Sequence, residues 1–513
     1  MVAGEDEMKV KLKELYIDSD IYPRERLAGE TIDSYFEALK AGAVFPALTV
    51  QKISVKETVK IKDKDEERTV EKTIILDGRH RYEAYLKYNE GAVQEKYQPI
   101  EEVECVLWKE DILEKDKHLE ELRIDAAVLN RKHGLRIGDS DMRFQTRRIV
   151  DANPSIDIKN LAGRFGVTYQ TVYNYVSDIL DRHKASRDSI ICRLNLLGFT
   201  QESISKLLEE KGFREQSQPM VSGVLSNFQK LEKLIKTSYF NSGKSIEDIS
   251  SYYNLDQTLV WGLILKGETD EDRFGYFNGN GNNKYKELKD KKDVKKPMIY
   301  NVWNFAQCDQ RLGIVHPGRI PGQIAQNVLF YYTQRDDLVV DPMAGGGSTV
   351  DACLIMGRKC KAYDIKPVRN DIIAWDISKG FHEEAKGCSL IFLDPPYWRL
   401  QKENYSAESI SKDSLDNWKG FMQKVAKDSY DTINKNGHFA LVIEAFLDEK
   451  VTNEFLDLPF ECVGWFKDAG FSEVQRISIP MPSQIKTALD VVRYRKKKVM
   501  LDLNRDLIIF KKV

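Results

Sequence analysis

The stretch Ile391–Trp398 sets a carboxylate, two prolines and two aromatic residues directly after three apolar residues. The apolar residues predict the end of a buried strand, and Pro395 and Pro396 cannot donate the N–H that a further ladder bond requires. The Asp394 carboxylate, the proline carbonyls and the Tyr397 ring are therefore expected at the carboxyl edge of a sheet, where open α/β sheets bind ligands. A surface turn is the alternative, and this stretch alone does not decide between them.

A glycine-rich segment precedes this stretch by about 50 residues. Leu338–Val340 predicts a buried strand, Ala344–Thr349 a turn that enters a helix, and Gly357 the end of that helix. The segment Lys359–Asp364 predicts a second strand that ends at Asp364. A phosphate loop would need a lysine after the glycines, and a dinucleotide fingerprint would need a third spaced glycine. The remaining interpretation is a nucleoside that passes close over the glycines, with its ribose hydroxyls bound by Asp364.

Together the two segments resemble the S-adenosylmethionine-dependent amino-methyltransferases of DNA. That family's glycine motif, Asp-Pro-Phe-x-Gly-x-Gly, is similar to the run Asp341, Pro342, Met343, Ala344, Gly345, Gly346 and Gly347, with methionine in place of phenylalanine. Its catalytic motif, Asp/Asn/Ser-Pro-Pro-Tyr/Phe, is matched by Asp394–Tyr397. Residues 316–333 resemble the helix that precedes the glycine motif, and Asp376 lies where the family's third strand ends beside the cofactor's adenine. The resemblance covers roughly residues 300–513 and implies a Rossmann-like domain. It implies a cofactor site made by Asp341, Pro342, Met343, Ala344, Gly345, Gly347, Asp364 and Asp376.

The resemblance also implies how the reactive groups act. An exocyclic amine conjugated to its ring is a poor nucleophile, so the site must fix its geometry towards the methyl group. Asp394 would accept one N–H and a proline carbonyl, Pro395 or Pro396, the other, while Tyr397, with Trp398, offers a stacking face to a flipped base. An aspartate at the first position of the motif favours adenine N6 over cytosine N4 within this family.

Basic residues begin another predicted helix nearer the N-terminus. Thr73–Tyr88 predicts a strand, a tight turn at Gly78 and a helix that begins Arg79, His80, Arg81. Positive charges at a helix N-terminus oppose its dipole and so favour a bound anion, although exposed surface arginines are the alternative. The segment resembles the ParB/sulfiredoxin superfamily, which implies a nucleotide or phosphate contact at these four residues. Partition proteins usually carry Gly-Glu-Arg-Arg, which puts CTP hydrolysis in question. Sulfiredoxins carry a cysteine at the position of Arg79, which excludes thiol repair.

A helix-turn-helix pattern follows in Asp157–Ile179, with Gly166 at the predicted turn. The second helix would expose Thr168, Tyr169, Gln170, Tyr173 and Asn174, and glutamine and asparagine can read adenine edges in the major groove. Plain helical packing is the alternative. Residues 199–208 and 245–265 suggest two further units of similar shape.

Composition limits the remaining choices. A net charge of −2 means that any DNA-binding surface must be a local basic patch. The seven cysteines include no CxxC pair, the N-terminus lacks the apolar core of a signal peptide, and the apolar runs are too short to span a bilayer. We therefore expect reduced thiols, no metal, no membrane partner and a cytoplasmic protein associated with the nucleoid.

The sequence as a whole predicts a multidomain α/β protein. We expect a ParB/sulfiredoxin-like α+β domain over 8–125, an all-helical helix-turn-helix region over 126–266, a linker over 267–296 and a Rossmann-like methyltransferase domain over 297–513. The predicted function is site-specific methylation of double-stranded DNA with S-adenosylmethionine. A fragment from about Pro297 to Val513 is expected to bind the methyl donor but to lose most DNA affinity and sequence preference. A ParB-like partition protein with a vestigial methyltransferase domain and an RNA amino-methyltransferase are the alternatives. A nucleotide at the ParB-like domain, a homodimer and a partner nuclease are left open.

Overall fold

The computed structural model describes residues 7–24, 27–61, 64–95, 98–132, 138–213, 215–278, 296–305, 307–316, 318–398, 410–448, 454–481, 488–498, 500 and 503–513. The chain divides into two compact units, Met1–Lys184 and Ala185–Val513.

The N-terminal unit contains a mixed sheet. Its elements are, in chain order, β1 (Glu7–Lys11), β2 (Leu15–Tyr16), α1 (Gly29–Lys40), β3 (Leu48–Ile61), β4 (Lys64–Asp77), α2 (Arg79–Glu95), β5 (Glu102–Leu107), β6 (Leu113–Glu114) and α3 (Lys115–Lys132). Within the described residues the strand order is β1-β5-β3-β4-β2, and β6 pairs with β3. β3 and β4 form an antiparallel hairpin. Ile75 packs in the core with α1 and α2, whereas its neighbours Ile74 and Leu76 pack with α3, as expected for a strand covered on both faces.

Three helices complete this unit: α4 (Asp139–Ala152), α5 (Ile158–Phe165) and α6 (Tyr169–Leu196), whose residues from Ala185 onward belong to the second unit. The Asp157 side chain caps α5 by accepting hydrogen bonds from the N–H groups of Lys159 and Asn160. Gly166 ends α5 at φ +61°, a left-handed conformation that favours glycine. The predicted order of helix, glycine turn and helix is therefore present.

The C-terminal unit combines helices with a second sheet. Its further elements are α7 (Gln201–Glu210), α8 (Gln218–Phe240), α9 (Ile246–Tyr253), α10 (Gln257–Ile264), α11 (Asp270–Asn278), α12 (Gly322–Tyr332), β7 (Leu338–Asp341), α13 (Ser348–Met356), β8 (Lys359–Asp364), β9 (Ile373–Ala374), β10 (Cys388–Leu393), α14 (Leu415–Thr432), β11 (Ile433–Ile443), β12 (Phe446–Asp448), β13 (Glu454–Leu456), α15 (Leu458–Asp468), β14 (Phe471–Pro480), α16 (Ala488–Lys497) and β15 (Asn504–Lys512).

In the described part of the chain, seven strands of this unit form one sheet in the order β14-β15-β11-β10-β7-β8-β9. β15 runs antiparallel to both of its neighbours, and the other strands run parallel to one another. The chain moves from β7 outward to β9, then returns to β10 on the other side of β7. The crevice between β7 and β10 is therefore a topological switch point, the place where open α/β sheets bind ligands.

Helices that precede residue 297 share the core of this sheet. Leu194, Leu197 and Leu208 lie in one apolar cluster with Val339 and Ala362, and the Leu197 carbonyl accepts a hydrogen bond from the N–H of Cys360 at 3.0 Å. The predicted boundary at 297 does not coincide with the observed division after residue 184, because these helices cover one face of the sheet.

The predicted linker over 267–296 also differs from the structure, because part of it is a packed helix. Residues 279–295 lie outside the described residues, but α11 falls within the predicted linker range and is helical. Phe274 and Phe277 of α11 are buried, and Arg273 donates a hydrogen bond to the Ile355 carbonyl at 2.9 Å.

The predicted further helix-turn-helix unit over residues 245–265 is not of the DNA-reading type. Residues 258–264 of α10 are all buried, in contact with a cluster that includes Leu312 and Ile355. A helix with no exposed face cannot enter a groove of DNA.

Candidate active site

The carboxyl ends of β7 and β10 bring the two predicted motifs together. Val339 is paired with Leu390, and Val340 with Ile391, so that Asp341 and Asp394 both follow the last paired residues of adjacent parallel strands. The sequence predicted this edge from each motif separately, and the strand pairing shows that the motifs share one crevice.

Main-chain N–H groups of the glycine-rich loop donate hydrogen bonds to residues at the end of β8. The N–H of Ala344 donates to the Tyr363 carbonyl at 2.9 Å, and the N–H of Gly345 donates to Oδ2 of Asp364 at 2.9 Å. Gly347 has φ +78°, and a Cβ built on Gly346 would lie 2.6 Å from the Ile314 carbonyl oxygen. The loop therefore needs glycine both for its left-handed turn and for its close approach to the chain before α12.

Each carboxylate oxygen of Asp364 accepts a hydrogen bond from a main-chain N–H group. Besides the bond from Gly345, its Oδ1 accepts from the N–H of Lys366 at 2.9 Å. Asp376, which was predicted to contact adenine, lies beyond β9 and uses Oδ1 to accept from the N–H of Ser378 at 2.9 Å. The N–H of Trp375 donates to the Asp364 carbonyl, and this hydrogen bond joins the segment before Asp376 to the end of β8.

The crevice is acidic. Asp341 is buried, and that burial raises its pKa to about 7, with further contributions from the negative charges of Asp394 and Asp364. Its Oδ1 accepts from the N–H of Met343 at 3.1 Å, a bond that opposes this rise. Three neighbouring carboxylates in a poorly solvated crevice suit a ligand that carries positive charge, such as a sulfonium ion with an amino group. The residues present therefore fit the predicted methyl donor.

Asp394 and Tyr397 are directly bonded. The Tyr397 hydroxyl donates to Oδ1 of Asp394 at 2.8 Å, and the ring is buried. Desolvation by the crevice walls raises the pKa of Asp394 to about 6, although one edge of the residue stays accessible; the charge of Arg505 and the Tyr397 bond limit the rise. Asp394 is consequently an anionic hydrogen-bond acceptor at neutral pH.

Two residues near this motif were not found from the sequence. The indole of Trp418, from α14, donates to the Pro396 carbonyl at 3.1 Å. Arg505 lies at the start of β15, level with the carboxyl end of β11, because Asp506 is paired with Ile443. Trp418 looked like an ordinary core residue of an amphipathic helix, and Arg505 like the polar start of a strand. Neither pattern contains a signal that points to Asp394 or Pro396.

The basic residues after Gly78 are engaged with the protein itself. Gly78 makes the predicted turn at φ +101°, and Arg81 donates to Oδ2 of Asp77 at 2.9 Å and to the carbonyls of Pro46 and Ala47.

The two residues between Gly78 and Arg81 also have protein partners. His80 is buried and accepts from the N–H of Ala28 at 3.2 Å; burial lowers its pKa to about 4, so it is neutral at physiological pH. Arg79 lies over the Tyr22 ring at 5.1 Å and pairs with Glu83 at 3.3 Å. These contacts account for the basic groups without an anion.

The predicted DNA-reading side chains lie at the start of α6. Tyr169, Gln170 and Asn174 are exposed, and Tyr173 is half-buried with its ring stacked on Tyr169 at 5.9 Å. Gln170 donates to the Asn174 side chain at 2.8 Å. The four side chains thus form one surface on the second helix of the pattern.

No group of three or more potential metal ligands occurs among the residues that the structure describes. Within the same residues, no helix combines the length and the apolarity needed to cross a bilayer.

The strand order with its switch-point crevice defines a Rossmann-like fold of the methyltransferase kind. Residues 215–386 match the family model described as DNA methylase, the N6/N4 methyltransferases. The match begins just before α8 and ends before Asp394, so it includes the glycine motif but not the Asp-Pro-Pro-Tyr motif. The chain therefore contains an S-adenosylmethionine-dependent DNA methylase domain.

Solved structures show weaker likenesses. TrmN from Thermus thermophilus is 13% identical with a TM-score of 0.24, and the match covers 38% of this chain and 50% of that one. A candidate DNA modification methylase, also from Thermus thermophilus and complexed with S-adenosyl-L-methionine, is 13% identical with a TM-score of 0.19, over 26% of this chain and 49% of the other. The chain thus spans about half the length of these proteins.

The chromosome-partitioning protein ParB from Caulobacter crescentus, complexed with CTP-gamma-S, is 12% identical with a TM-score of 0.17, over 33% of this chain and 76% of that one. TM-scores this low carry no weight for function. No curated protein sequence matches the chain significantly.

Proposed function

We propose that this protein is a site-specific DNA methyltransferase that methylates an exocyclic base amine, adenine N6 in the first instance. The observation that carries this proposal is the pairing of β7 with β10, which sets the glycine-rich loop and Asp364 beside the Asp394–Tyr397 motif. A donor site and an acceptor site in one crevice are what direct methyl transfer requires.

The residues that would hold the donor are those of the glycine motif, Asp341, Pro342, Met343, Ala344, Gly345 and Gly347, with Asp364 at the ribose and Asp376 at the adenine. When bound, S-adenosylmethionine supplies an activated methyl group on a cationic sulfur. The negative charge of Asp364, and that of Asp341 in its ionised form, favours that cation.

On the substrate side, anionic Asp394 accepts one N–H of the target amine. The Pro396 carbonyl already accepts from Trp418, so we assign the second N–H to the carbonyl of Pro395. The Tyr397 hydroxyl holds the Asp394 carboxylate in orientation, and its ring provides the stacking face for a base flipped out of the duplex. The amine is thereby oriented for in-line attack without a covalent intermediate.

The N-terminal unit is the proposed DNA reader. Exposed Gln170 and Asn174 on α6 suit adenine edges in the major groove, and Tyr169 and Tyr173 present a stacked aromatic surface beside them. Residues 8–125 remain our proposal for the ParB-like domain. Of the predicted range 126–266, residues 126–184 remain our proposal for the helix-turn-helix part, because the later helices cover the sheet of the C-terminal unit. A cytoplasmic location on the nucleoid and a homodimer are proposed with them. The nucleotide proposed at Gly78–Arg81 would have to compete with the protein's own contacts to Arg79 and Arg81.

The deciding experiment identifies the methylated base. Purified protein is incubated with methyl-labelled donor and with duplex DNA, single-stranded DNA or structured RNA, and the labelled nucleoside is then identified by mass spectrometry. N6-methyladenine in duplex DNA, absent with Asp394→Ala protein, is the expected result. Label in RNA alone would replace the proposal with RNA methylation. Donor binding without transfer to any nucleic acid would favour the partition-protein alternative.

A further inference from the structure

Four buried charged side chains form a cluster beneath the glycine-rich loop: Arg193 from α6, Asp351 from α13, and Arg369 and Asp371 from the chain after β8. Arg369 donates to Asp351 at 2.9 Å and to both oxygens of Asp371 at 2.9 and 2.6 Å. Arg193 donates to Asp371 at 2.5 Å and is also bonded to Asp351. Each of the four side chains is at most 12% exposed. Burying charges is costly and is no general route to stability, so the cluster calls for another explanation.

The cluster contacts the loop directly. Nη1 of Arg369 donates to the carbonyls of Gly346 and Gly347 at 3.2 and 3.3 Å. A Cβ on Gly347 would lie 2.5 Å from the same nitrogen, so the guanidinium packs against the left-handed turn itself. Oδ2 of Asp351 accepts from the N–H of Gly313 at 2.6 Å, and the neighbouring Ile314 donates from its N–H to the Gly346 carbonyl at 2.9 Å. The loop is therefore fixed from two sides by one network.

Asp371 stays ionised across ordinary pH. Burial alone would raise the pKa of Asp371, but the charges of Arg193 and Arg369 outweigh burial and hold that pKa well below its usual value. Arg193 also pairs with Asp256, which caps α10, at 3.0 Å. The cluster therefore joins the loop to two helices of the region that precedes the sheet.

We propose that Arg369 and Arg193 are positioning residues for the methyl donor. Arg369 sets the main chain of Gly346 and Gly347 in the shape that receives the donor, and Arg193 holds Arg369 in place through the two shared carboxylates. Arg193 lies outside the segment that matches the DNA methylase family model, so donor binding depends on a residue that the family match does not include. This inference rests on the proposed donor site.

The test compares donor binding in matched arginine variants of the full chain. Arg358 is the control: its side chain is fully buried and pairs with Asp270 at 2.6 and 2.7 Å, but it lies at the opposite end of α13 from the glycines. Arg193→Gln and Arg369→Gln should raise the Kd for S-adenosylmethionine by at least about tenfold, and the donor KM by a similar factor. The kcat at saturating donor should stay within about threefold of that of the unmodified protein. Arg358→Gln should lower the Tm but leave the donor Kd of the folded protein unchanged.

Arg369→Lys tests the inference if the glutamine substitutions prevent folding. Arg369→Lys keeps the charge for Asp371 but cannot bond Asp351, Asp371 and both glycine carbonyls together, so its donor Kd should still rise. If the Arg193 and Arg369 variants that fold bind the donor as tightly as the unmodified protein, the cluster serves stability only and the inference is wrong. If the unmodified protein itself binds no S-adenosylmethionine, the proposed donor site fails first, and the two failures are thus distinguished.

Discussion

The Trp418 indole, from a helix that follows the Asp-Pro-Pro-Tyr motif, donates a hydrogen bond to the Pro396 carbonyl at 3.1 Å. Trp418 is fully buried, so this bond fixes the main chain at the centre of the motif from below. Of the two proline carbonyls in the motif, one is thus committed to the protein, and the other is the proposed acceptor for the substrate.

Trp418→Phe should lower kcat by about 5- to 20-fold, because it leaves the Pro396 carbonyl without its indole donor and allows the motif to shift. The donor Kd should stay within about twofold, since the hydrogen bond that is lost belongs to the Asp-Pro-Pro-Tyr motif. Single-turnover methylation and calorimetry measure the two quantities. Trp303→Phe is the matched control, because it removes a similar bond, from the Trp303 indole to the Tyr300 carbonyl at 2.8 Å. An equal loss of kcat in both variants would contradict the positioning role of Trp418.

Asp394→Ala should reduce methyl transfer by at least about 100-fold, because the amine loses its anionic acceptor, while donor binding is largely kept. Asp364→Ala should show the opposite defect, a weaker donor Kd, since it removes the proposed ribose contact together with the acceptor for the Gly345 N–H. Equilibrium dialysis with labelled donor, beside initial rates, separates the two. Retained activity in Asp394→Ala protein would overturn its assignment.

The pH dependence of kcat should show an acid limb near pH 6. The folded-state pKa of Asp394 is raised to about 6, and only the ionised form accepts from the amine, so kcat falls as pH decreases through that value. Saturating donor is needed, because Asp341, with a pKa of about 7, affects donor affinity in the same range. Arg505→Met removes a charge that lowers the pKa of Asp394, and so should move the limb to higher pH. Arg476→Met, on β14, should leave it in place; a limb unmoved in both variants would contradict the role of Arg505.

A fragment that starts at Ala185 should fold and bind S-adenosylmethionine like the full chain, whereas one that starts at Pro297 should not. The shorter fragment lacks Arg193 and the buried helices α7–α11, which cover one face of the sheet. This reverses the expectation drawn from the sequence. Circular dichroism, thermal denaturation and donor binding measure the difference. A folded, donor-binding fragment from Pro297 would show that these helices are dispensable.

The fragment from Ala185 should also lose most DNA affinity and sequence preference, because it lacks the proposed reader. Its binding should depend less steeply on salt than that of the full chain, since fewer phosphate contacts release fewer counterions. Fluorescence anisotropy at several salt concentrations measures the slope. Gln170→Ala/Asn174→Ala in the full chain should relax sequence preference with little change in the slope. If the fragment methylates the same sites at comparable rates, the reader lies in the C-terminal unit.

The sequence predicted the parts of the site that lie within short segments. The glycine turn, the two strands that flank it and the strand before Asp394 depend on local propensity and on apolar runs, which a single sequence displays directly. The pairing of Arg193 with Asp351 joins residues 158 positions apart, and that of Trp418 with Pro396 depends on how α14 packs. Such contacts arise from tertiary packing, which leaves no local pattern. The same holds for α10: its apolar sequence fits a packed helix as well as a helix-turn-helix unit, and burial decided between them.

The direction of β15 has a consequence for how this protein can diversify. Because β15 is antiparallel, Pro480 at the end of β14 is paired with Asn504 at the start of β15, and both lie on the edge of the sheet that carries Asp394. The connection between them, which includes α16 with its exposed Arg493 and Arg495, therefore begins and ends on that edge. Insertions or deletions in this connection would change the surface next to that edge while every strand keeps its register. The sequence of this connection can therefore vary without any change to the strand pairing that holds the core of the sheet.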